Sequence, residues 1–268
     1  MNDDNPIPIA FRVIAGFTLL VLLVPVAIVM LAGFNSGEFL SFPPDGLSLR
    51  WIRDFFVSPT FLPAFKTSFG LAMLTTLIST VLGTLASIFL TRSTSRWREP
   101  LRALFILPVI LPGVVLGLAL YMFYIWTGTG LARSYTGLLI GHVLVTLPFV
   151  IATVTASMVD FDLSIEEAAR ALGASPMQAF MKVTLPNIVP GITASTVFAF
   201  IISFGQFELT LFLSTPDFQT LPIAIYTSLR YAFEPTAAAA GIFAIFLVTV
   251  STLLFSRLVN LKKLLRRR

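Results

Sequence analysis

The sequence predicts an all-α integral membrane protein with six transmembrane helices in a single domain, residues 1–268. Hydrophobic residues make up 56% of the chain, charged residues 12%, and the mean hydropathy is +0.91. A soluble domain of this length would be more polar. Six apolar segments are each long enough to cross about 30 Å of hydrocarbon at about 1.5 Å per residue. The predicted spans cover residues 9–34, 67–90, 101–126, 137–159, 192–213 and 237–258.

The first two spans contain different packing signals, a proline in span one and a stripe of small residues in span two. Span one is interrupted only by Pro25, which invites a kink because proline removes a backbone donor. In span two, Ser79, Gly83 and Ser87 recur at every fourth position. Small residues at this spacing share one face and let another helix approach closely. The sequence therefore predicts a close helix contact along span two.

The loop between these spans predicts a short helix at the membrane surface. Its apolar side would be formed by Leu47, Leu49, Trp51, Ile52 and Phe55. Helices of this kind lie flat at the interface, with tryptophan at headgroup depth.

Spans three and four carry proline and glycine signals. Pro108 and Pro112 disrupt helical hydrogen bonds in span three, where Gly113 and Gly117 also have the GxxxG spacing of close packing. We therefore expect a broken, tightly packed helix. Span four repeats this spacing at residues 137 and 141.

Basic residues are concentrated near the ends of the predicted spans. The net charge of +5 therefore reflects membrane topology, and no continuous basic face for nucleic acid is expected. With the N-terminus inside the cell, inner segments hold 13 of the 18 Lys and Arg residues and outer loops hold 5. This excess predicts that both termini are cytoplasmic. Residues 1–12 lack the basic start and cleavage site of a secretory signal, so the first span is expected to stay attached.

The insert between spans four and five, residues 160–191, bears four acidic residues and carries the signals of two short helices. Ser164 and Glu167 have the spacing of a capping box, in which each side chain satisfies a backbone N–H at a helix start. This pattern predicts a helix that begins near Ile165.

A sharp corner is predicted between the two helices of the insert. Gly173 stands where a helix often ends in the left-handed conformation. Ser175 and Pro176 then supply a cap and a first-turn proline for a new helix. Leu185-Pro186 and Pro190 are expected to end that helix before span five.

The insert resembles the EAA loop of the inner-membrane permease subunits of binding-protein-dependent ABC importers. The residues that carry the resemblance are Glu167-Ala168-Ala169, Gly173, Val183 and Leu185-Pro186. In that family the loop is a coupling helix that docks into a groove on a cytoplasmic ATPase. The resemblance implies this role for Glu166, Glu167, Ala168, Ala169, Gly173 and Pro186. The alternative is an amphipathic hairpin on the lipid surface, which is disfavoured because the insert has four acids and two bases.

The resemblance also implies partners and a location. The permease would work in the inner membrane with a second, related permease subunit, two cytoplasmic ATPase subunits and an extracytoplasmic solute-binding protein. ATP and magnesium would be bound by the ATPase, so no cofactor is expected in this chain.

Two further stretches are similar to the spermidine/putrescine-type branch of these permeases. They are residues 42–51 and residues 204–230. The resemblance implies a polyamine-like or other cationic or zwitterionic amine as the solute. In that branch an acidic residue often follows the Ser-Phe pair directly, whereas here Ser203-Phe204 is followed by Gly205. This departure leaves opines, aminophosphonates and other small solutes as alternatives.

Glu208 is the one acidic residue within a predicted span. Charged side chains inside a bilayer cost free energy and usually face a cavity or a partner. Glu208 and Gln206, with Ser203 and His142, are therefore candidates to line a path for the solute. Alternatively, Glu208 is hydrated near the interface or pairs with Arg230. A single histidine also more often donates a hydrogen bond to a neighbouring helix than it carries protons.

Catalytic patterns are missing from the sequence. The chain has no cysteine and one histidine, and no HExxH, GxSxG or P-loop pattern occurs. We therefore expect a transport subunit that is not an enzyme. The competing class is a membrane channel or scaffold that works without an ATPase.

Overall fold

The computed structural model describes residues 9–39, 41–232 and 234–265, and within these ranges the chain is helical and contains no β-strand. The first six helices are α1 (Ile9–Gly33), α2 (Arg50–Val57), α3 (Phe61–Arg92), α4 (Arg98–Ile110), α5 (Gly113–Thr127) and α6 (Tyr135–Val159). The others are α7 (Leu163–Ala171), α8 (Pro176–Ala179), α9 (Leu185–Gly205), α10 (Thr210–Leu213), α11 (Leu221–Tyr231) and α12 (Thr236–Leu265). A π-helical turn, Phe180–Thr184, joins α8 to α9.

The number of long apolar helices agrees with six spans. Among the described residues, five helices are long and apolar enough to cross a membrane, and the α4–α5 pair makes a sixth if the two are counted together. Four predicted spans coincide with α1, α3, α6 and α12. Helix α3 begins six residues before its predicted span, because the preceding turn is apolar and buries Phe61 and Ala64.

Span three is bent far more sharply than a kinked helix. The axes of α4 and α5 differ by 109°. Leu111 is extended, with φ −78° and ψ 136°, and Pro112 follows as the N-cap of α5. A residue before proline is pushed out of the helical region, which explains the break at this point. Pro108 lies inside α4, so of the two prolines only Pro112 stands at the break.

Span five differs from the prediction at both ends. Pro186 and Pro190 were expected to end the preceding helix, but both lie inside α9, which continues directly from the π-helical turn. Pro186 directly follows the π-helical turn, where the helical hydrogen-bond pattern already changes. The helix then ends at Gly205, whereas the predicted span continued to residue 213. Residues 206–209 are not helical, and α10 follows them.

The described chain divides into two compact units, Met1–Leu62 with Ala224–Phe246, and Pro63–Ile223 with Leu247–Arg268. In the first unit, the ring of Phe55 stacks on Phe243 with centroids 4.3 Å apart. Trp51 is also buried, and its Nε1 donates to the Gly37 carbonyl at 3.2 Å. Leu47 and Leu49 were predicted to belong to the apolar side of this helix, and this is wrong because both are exposed and precede α2. The predicted short helix is therefore present, but Trp51 packs inside the unit.

In the second unit, α6 packs against α3 and α9 through small residues. The predicted stripe on α3 is used, because Ser79 Oγ lies 2.6 Å from Thr146 Oγ1 and Ser87 Oγ donates to the Ile151 carbonyl at 3.1 Å. Gly83 faces Val150. These contacts confirm the predicted close approach along span two.

Candidate functional site

Helix α7 begins two residues earlier than the capping-box prediction. Asp162 is the N-cap, and its carboxylate accepts a hydrogen bond from the Ser164 N–H at 2.9 Å. The predicted cap by Ser164 and Glu167 is therefore wrong. Asp162 takes this place because it is extended, with φ −72° and ψ 107°, and carries an acceptor that aspartate commonly supplies at helix starts. Hydrogen bonds from Ser164 lower the pKa of the exposed Asp162 carboxyl.

The predicted corner between the two short helices is confirmed. Gly173 has a φ of +93°, a conformation that glycine adopts without a steric penalty. The Ala174 N–H donates to the Ala169 carbonyl across this corner at 3.1 Å. On the far side, Ser175 and Gln178 form a reciprocal capping box at 3.3 and 2.9 Å. Residues 163–179 therefore form a hairpin of two helices, here called the coupling hairpin.

Glu166 ties the coupling hairpin to the end of span two. Its two carboxylate oxygens accept hydrogen bonds from Arg92 Nη1 at 3.0 Å and Nη2 at 2.5 Å. The Thr184 hydroxyl donates to the same carboxylate, and Arg92 Nη2 also lies 3.2 Å from Thr184 Oγ1. Arg92 ends α3, Glu166 belongs to α7, and Thr184 ends the π-helical turn before α9. These three residues, here called the latch, therefore join three elements.

The latch carboxylate is held in its charged form. Hydrogen bonding from Arg92 lowers the pKa of Glu166, and the Thr184 hydroxyl and the charges of Arg92 and Arg170 act in the same direction. Partial burial opposes them. The side chains of Glu166 and Arg92 are 12% and 28% exposed, so solvent screens this pair less than a surface ion pair. No feature of the sequence near Glu166 identified Arg92 as its partner.

The other predicted coupling residues lie on the outside of the chain. Glu167, Ala168, Gly173 and Pro186 are exposed, and Ala169 is half-buried. Exposed apolar side chains accompany them on the hairpin and the turn that follows, a feature that sequence reasoning missed. These side chains are Leu163, Ile165, Leu172, Met177 and Met181. Exposed apolar groups of this kind mark a surface that contacts a protein partner or a membrane.

A second cluster joins two of the predicted path residues. His142 is 1% exposed, and its Nδ1 lies 2.9 Å from Ser203 Oγ. Its Nε2 lies 2.9 Å from Thr210 Oγ1, a partner that the sequence analysis did not name. His142 therefore connects α6 with the end of α9 and with α10. This link bridges the non-helical residues 206–209.

The tautomer of His142 follows from the other bonds of Thr210. The Thr210 hydroxyl donates to the Gln206 carbonyl at 2.9 Å, so it has only lone pairs to offer the ring. The Nε2 atom then carries the proton and donates to Thr210. Nδ1 is left to accept from Ser203. The neutral ring thus satisfies all three polar side chains, which agrees with the structural interpretation of His142.

Glu208 and Gln206 lie in the break between α9 and α10. Gln206 is half-buried and Glu208 is exposed. The Glu208 carboxylate contacts Gly113 at the start of α5. Glu208 was predicted to lie within a helical span, and this is wrong because α9 ends at Gly205. Its carboxylate instead lies at a non-helical segment beside the bend between α4 and α5.

The sequence matches the model of one protein family over most of its length. Residues 79–264 match the binding-protein-dependent transport system inner membrane component. The chain belongs to this family. It is a permease subunit of an ABC importer, a multi-pass protein of the inner membrane, and ATP hydrolysis is supplied by separate subunits.

Known relatives of this permease have different named solutes. It is 27% identical over 218 residues to the spermidine/putrescine transport system permease protein PotC of Escherichia coli, with 81% of each chain covered. It is 35% identical over 207 residues to sulfate permease 2, chloroplastic, of Chlamydomonas reinhardtii, which covers 73% of this chain and 53% of that protein.

The fold of the permease is found in solved ABC transporters. A chain of a bacterial alginate ABC transporter, in complex with an alginate pentasaccharide-bound periplasmic protein, matches with a TM-score of 0.71. The two chains are 19% identical, and the match covers 92% of each. The likeness confirms the all-α permease fold.

Replacing His142 tests whether the permease uses it as a structural tie. His142→Phe removes the acceptor of the buried Ser203 hydroxyl, at a cost of about 1–3 kcal/mol, while Thr210 keeps its hydrogen bond to the Gln206 carbonyl. His142→Gln keeps a donor and an acceptor and is expected to cost less. We expect the melting midpoint of the purified permease complex to fall by roughly 3–8 °C for the phenylalanine variant. Equal midpoints for the two variants would contradict this role.

Proposed function

We propose that this permease moves a small organic cation of the polyamine type into the cytoplasm. The similarity to PotC supports a solute of this class. A cationic solute is also supported by Glu208. This residue is exposed in the non-helical segment between α9 and α10, so its carboxylate is accessible to a ligand. Carboxylates bind ammonium groups through charge-assisted hydrogen bonds. In this proposal Glu208 and Gln206 contact the solute, while His142 and Ser203 hold the helices that carry them.

The orientation and the partners are part of the same proposal. Both termini and the coupling hairpin face the cytoplasm, which is supported by the excess of inner basic residues. Two ATPase subunits receive the exposed face of the hairpin and alone bind ATP and magnesium. A second, related permease subunit completes the path, and an extracytoplasmic binding protein delivers the solute. The alginate transporter complex, which contains a periplasmic protein, supports this arrangement.

The hydrogen bonds of the latch support transmission of movement from the ATPase subunits to the transmembrane helices. A force on the exposed side of α7 reaches Glu166, and from Glu166 it reaches Arg92 of α3 and Thr184 before α9. Two long helices are therefore displaced together when the ATPase subunits close. The bent α4–α5 pair and the break after Gly205 provide the points at which the bundle can rearrange.

The solute class is tested by uptake into vesicles that contain the assembled importer. Glu208→Gln keeps the shape of the side chain and removes its charge. We expect the KM for putrescine and spermidine to rise by about tenfold, because a hydrogen bond to a charged group contributes roughly 1.5–3 kcal/mol. Glu234→Gln changes another exposed acid and is expected to leave the KM unchanged.

Two results would contradict the proposal. One is an unchanged KM for the amines in the Glu208→Gln variant. The other is saturable uptake of sulfate in place of the amines, which would align the permease with its algal relative.

A further inference from the structure

A basic pocket lies where α3 ends, α4 begins and α6 ends. Its volume is about 230 Å³. Three arginines line it together with two threonines and four apolar residues. The lining residues are Arg92, Arg98, Arg102, Thr91, Thr155, Met158, Val159, Phe161 and Leu163. By the predicted topology this pocket is at the cytoplasmic end of the spans.

This pocket has unused hydrogen-bond donors. The Nε atom of Arg92 is buried and has no hydrogen-bond partner among the described residues, whereas the Nε atom of Arg98 lies 3.4 Å from the Glu99 carboxylate. The hydroxyl of Thr155 is also buried and without a hydrogen-bond partner among the described residues. Arg92 uses its terminal nitrogens in the latch. Buried donors without partners are costly, so these groups indicate a missing acceptor.

The charges around the pocket leave a positive excess. Glu166 balances Arg92 in the latch. Arg98 and Arg102 share the single carboxylate of Glu99, at 3.4 and 3.5 Å. Glu99 is itself 66% exposed, so it screens the two guanidinium groups only weakly. The pocket therefore favours an anion, and the planar guanidinium group suits phosphate oxygens.

Apolar cavities continue from the basic pocket along the seam between α4 and α6. A cavity of about 130 Å³ shares Arg102 and Thr155 with the pocket, and Phe105, Ile106 and Ala152 are among its other walls. A further cavity of about 340 Å³ shares Phe105 and Pro148 with it. The two cavities are lined almost entirely by apolar side chains. The basic pocket is thus continuous with two apolar cavities, here called the apolar track.

We propose that this seam binds an anionic phospholipid, a site that goes beyond the transport function. The phosphate accepts hydrogen bonds from Arg98, Arg102 and Thr155, and one acyl chain lies along the α4–α6 cavities. A free phosphate ion would use the basic end but none of the apolar track. A neutral lipid would leave the positive excess unbalanced. Basic pockets between helices on the cytoplasmic side are typical sites for anionic headgroups.

The test measures lipid retained by the assembled importer. The complex is purified from nanodiscs that contain phosphatidylglycerol or phosphatidylcholine, and bound lipid is counted by native mass spectrometry. The double variant Arg98→Gln with Arg102→Gln is expected to retain about tenfold less phosphatidylglycerol. The matched control is Arg96→Gln, in the turn just before α4, exposed and outside the pocket. It should retain the wild-type amount, and phosphatidylcholine should be poorly retained throughout.

A second variant tests the acyl track separately from the charge. Ala152→Phe fills the cavity next to Arg102 and is expected to lower retention of phosphatidylglycerol by several fold without a change in charge. Millimolar inorganic phosphate should not displace the lipid. Equal retention by the double variant and the Arg96→Gln control would overturn the proposal. So would unchanged retention in Ala152→Phe with full displacement by phosphate, which would identify a site for free anions only.

Discussion

Glu166→Gln is expected to lower solute uptake by at least about tenfold while the permease still assembles with its ATPase. Glutamine cannot neutralise Arg92, and it offers one acceptor oxygen where the carboxylate offers two. Breaking a fully buried ion pair costs about 3–5 kcal/mol. This pair is partly exposed, so we expect about 1–3 kcal/mol. The hairpin would then move without displacing α3 and α9.

The design of this experiment separates the latch from the docking surface. ATP hydrolysis and uptake are measured on the same reconstituted importer, and the ratio of the two reports coupling. Glu167→Gln, on the exposed side of the same helix, is expected to weaken retention of the ATPase subunit. Glu166→Gln is expected to retain that subunit and hydrolyse ATP with little transport. The same ratio for Glu166→Gln and wild type would contradict the role of the latch.

The pH dependence of the latch follows from the pKa of Glu166. Because the pKa is lowered in the folded protein, the stabilisation is fully present above the ordinary carboxyl range. It is lost as the pH falls through the lowered pKa. The latch contribution to coupling is therefore expected to be constant near neutral pH and to disappear only under strongly acidic conditions.

Gly83→Val is expected to prevent normal packing of α3 against α6. A Cβ atom at this position would lie 2.5 Å from Val150 Cγ1 and 2.8 Å from Val150 Cβ. Val150 is fully buried, so it has no free space to enter. Overpacking of this kind typically costs about 1–3 kcal/mol, and valine adds further bulk at Cβ. We expect a much lower yield of folded permease and a lower melting midpoint.

Gly70→Val provides the matched control for this substitution. Gly70 lies in the same helix, and a Cβ there has no neighbouring atom of the described chain within 4 Å. Its effect on yield and midpoint in fluorescence-detected size exclusion should be small. Similar losses for both variants would mean that glycine in α3 matters for the helix itself and not for contact with α6.

The sequence predicted features that depend on local chemistry. The long apolar segments, the small residues along α3 and the corner at Gly173 each follow from residues within a few turns of one another. The Ser175 cap is another example, because the acceptor and the donors lie within three residues. For the same reason the permease family could be identified from one short insert.

The features that the sequence did not predict are of two kinds. Some depend on contacts between residues far apart in the chain, and others depend on which of two nearby residues caps or ends a helix. Arg92 and Glu166 are 74 positions apart, and no periodicity relates them. His142 and Thr210 are 68 positions apart. At the start of α7, Asp162 and Ser164 competed for the cap. At Pro186, the π-helical turn before α9 allowed the helix to continue through a residue that would otherwise end it.

The coupling hairpin is expected to face the cytoplasm and to be covered there by an ATPase subunit. Because the chain contains no cysteine, Met177→Cys, at an exposed position of the hairpin, introduces a single site for a membrane-impermeant maleimide. We expect this site to be labelled in inside-out vesicles stripped of the ATPase, and to be protected when the ATPase is added back. Labelling from the outside of right-side-out vesicles would show that the hairpin is not cytoplasmic and would contradict its contact with an ATPase.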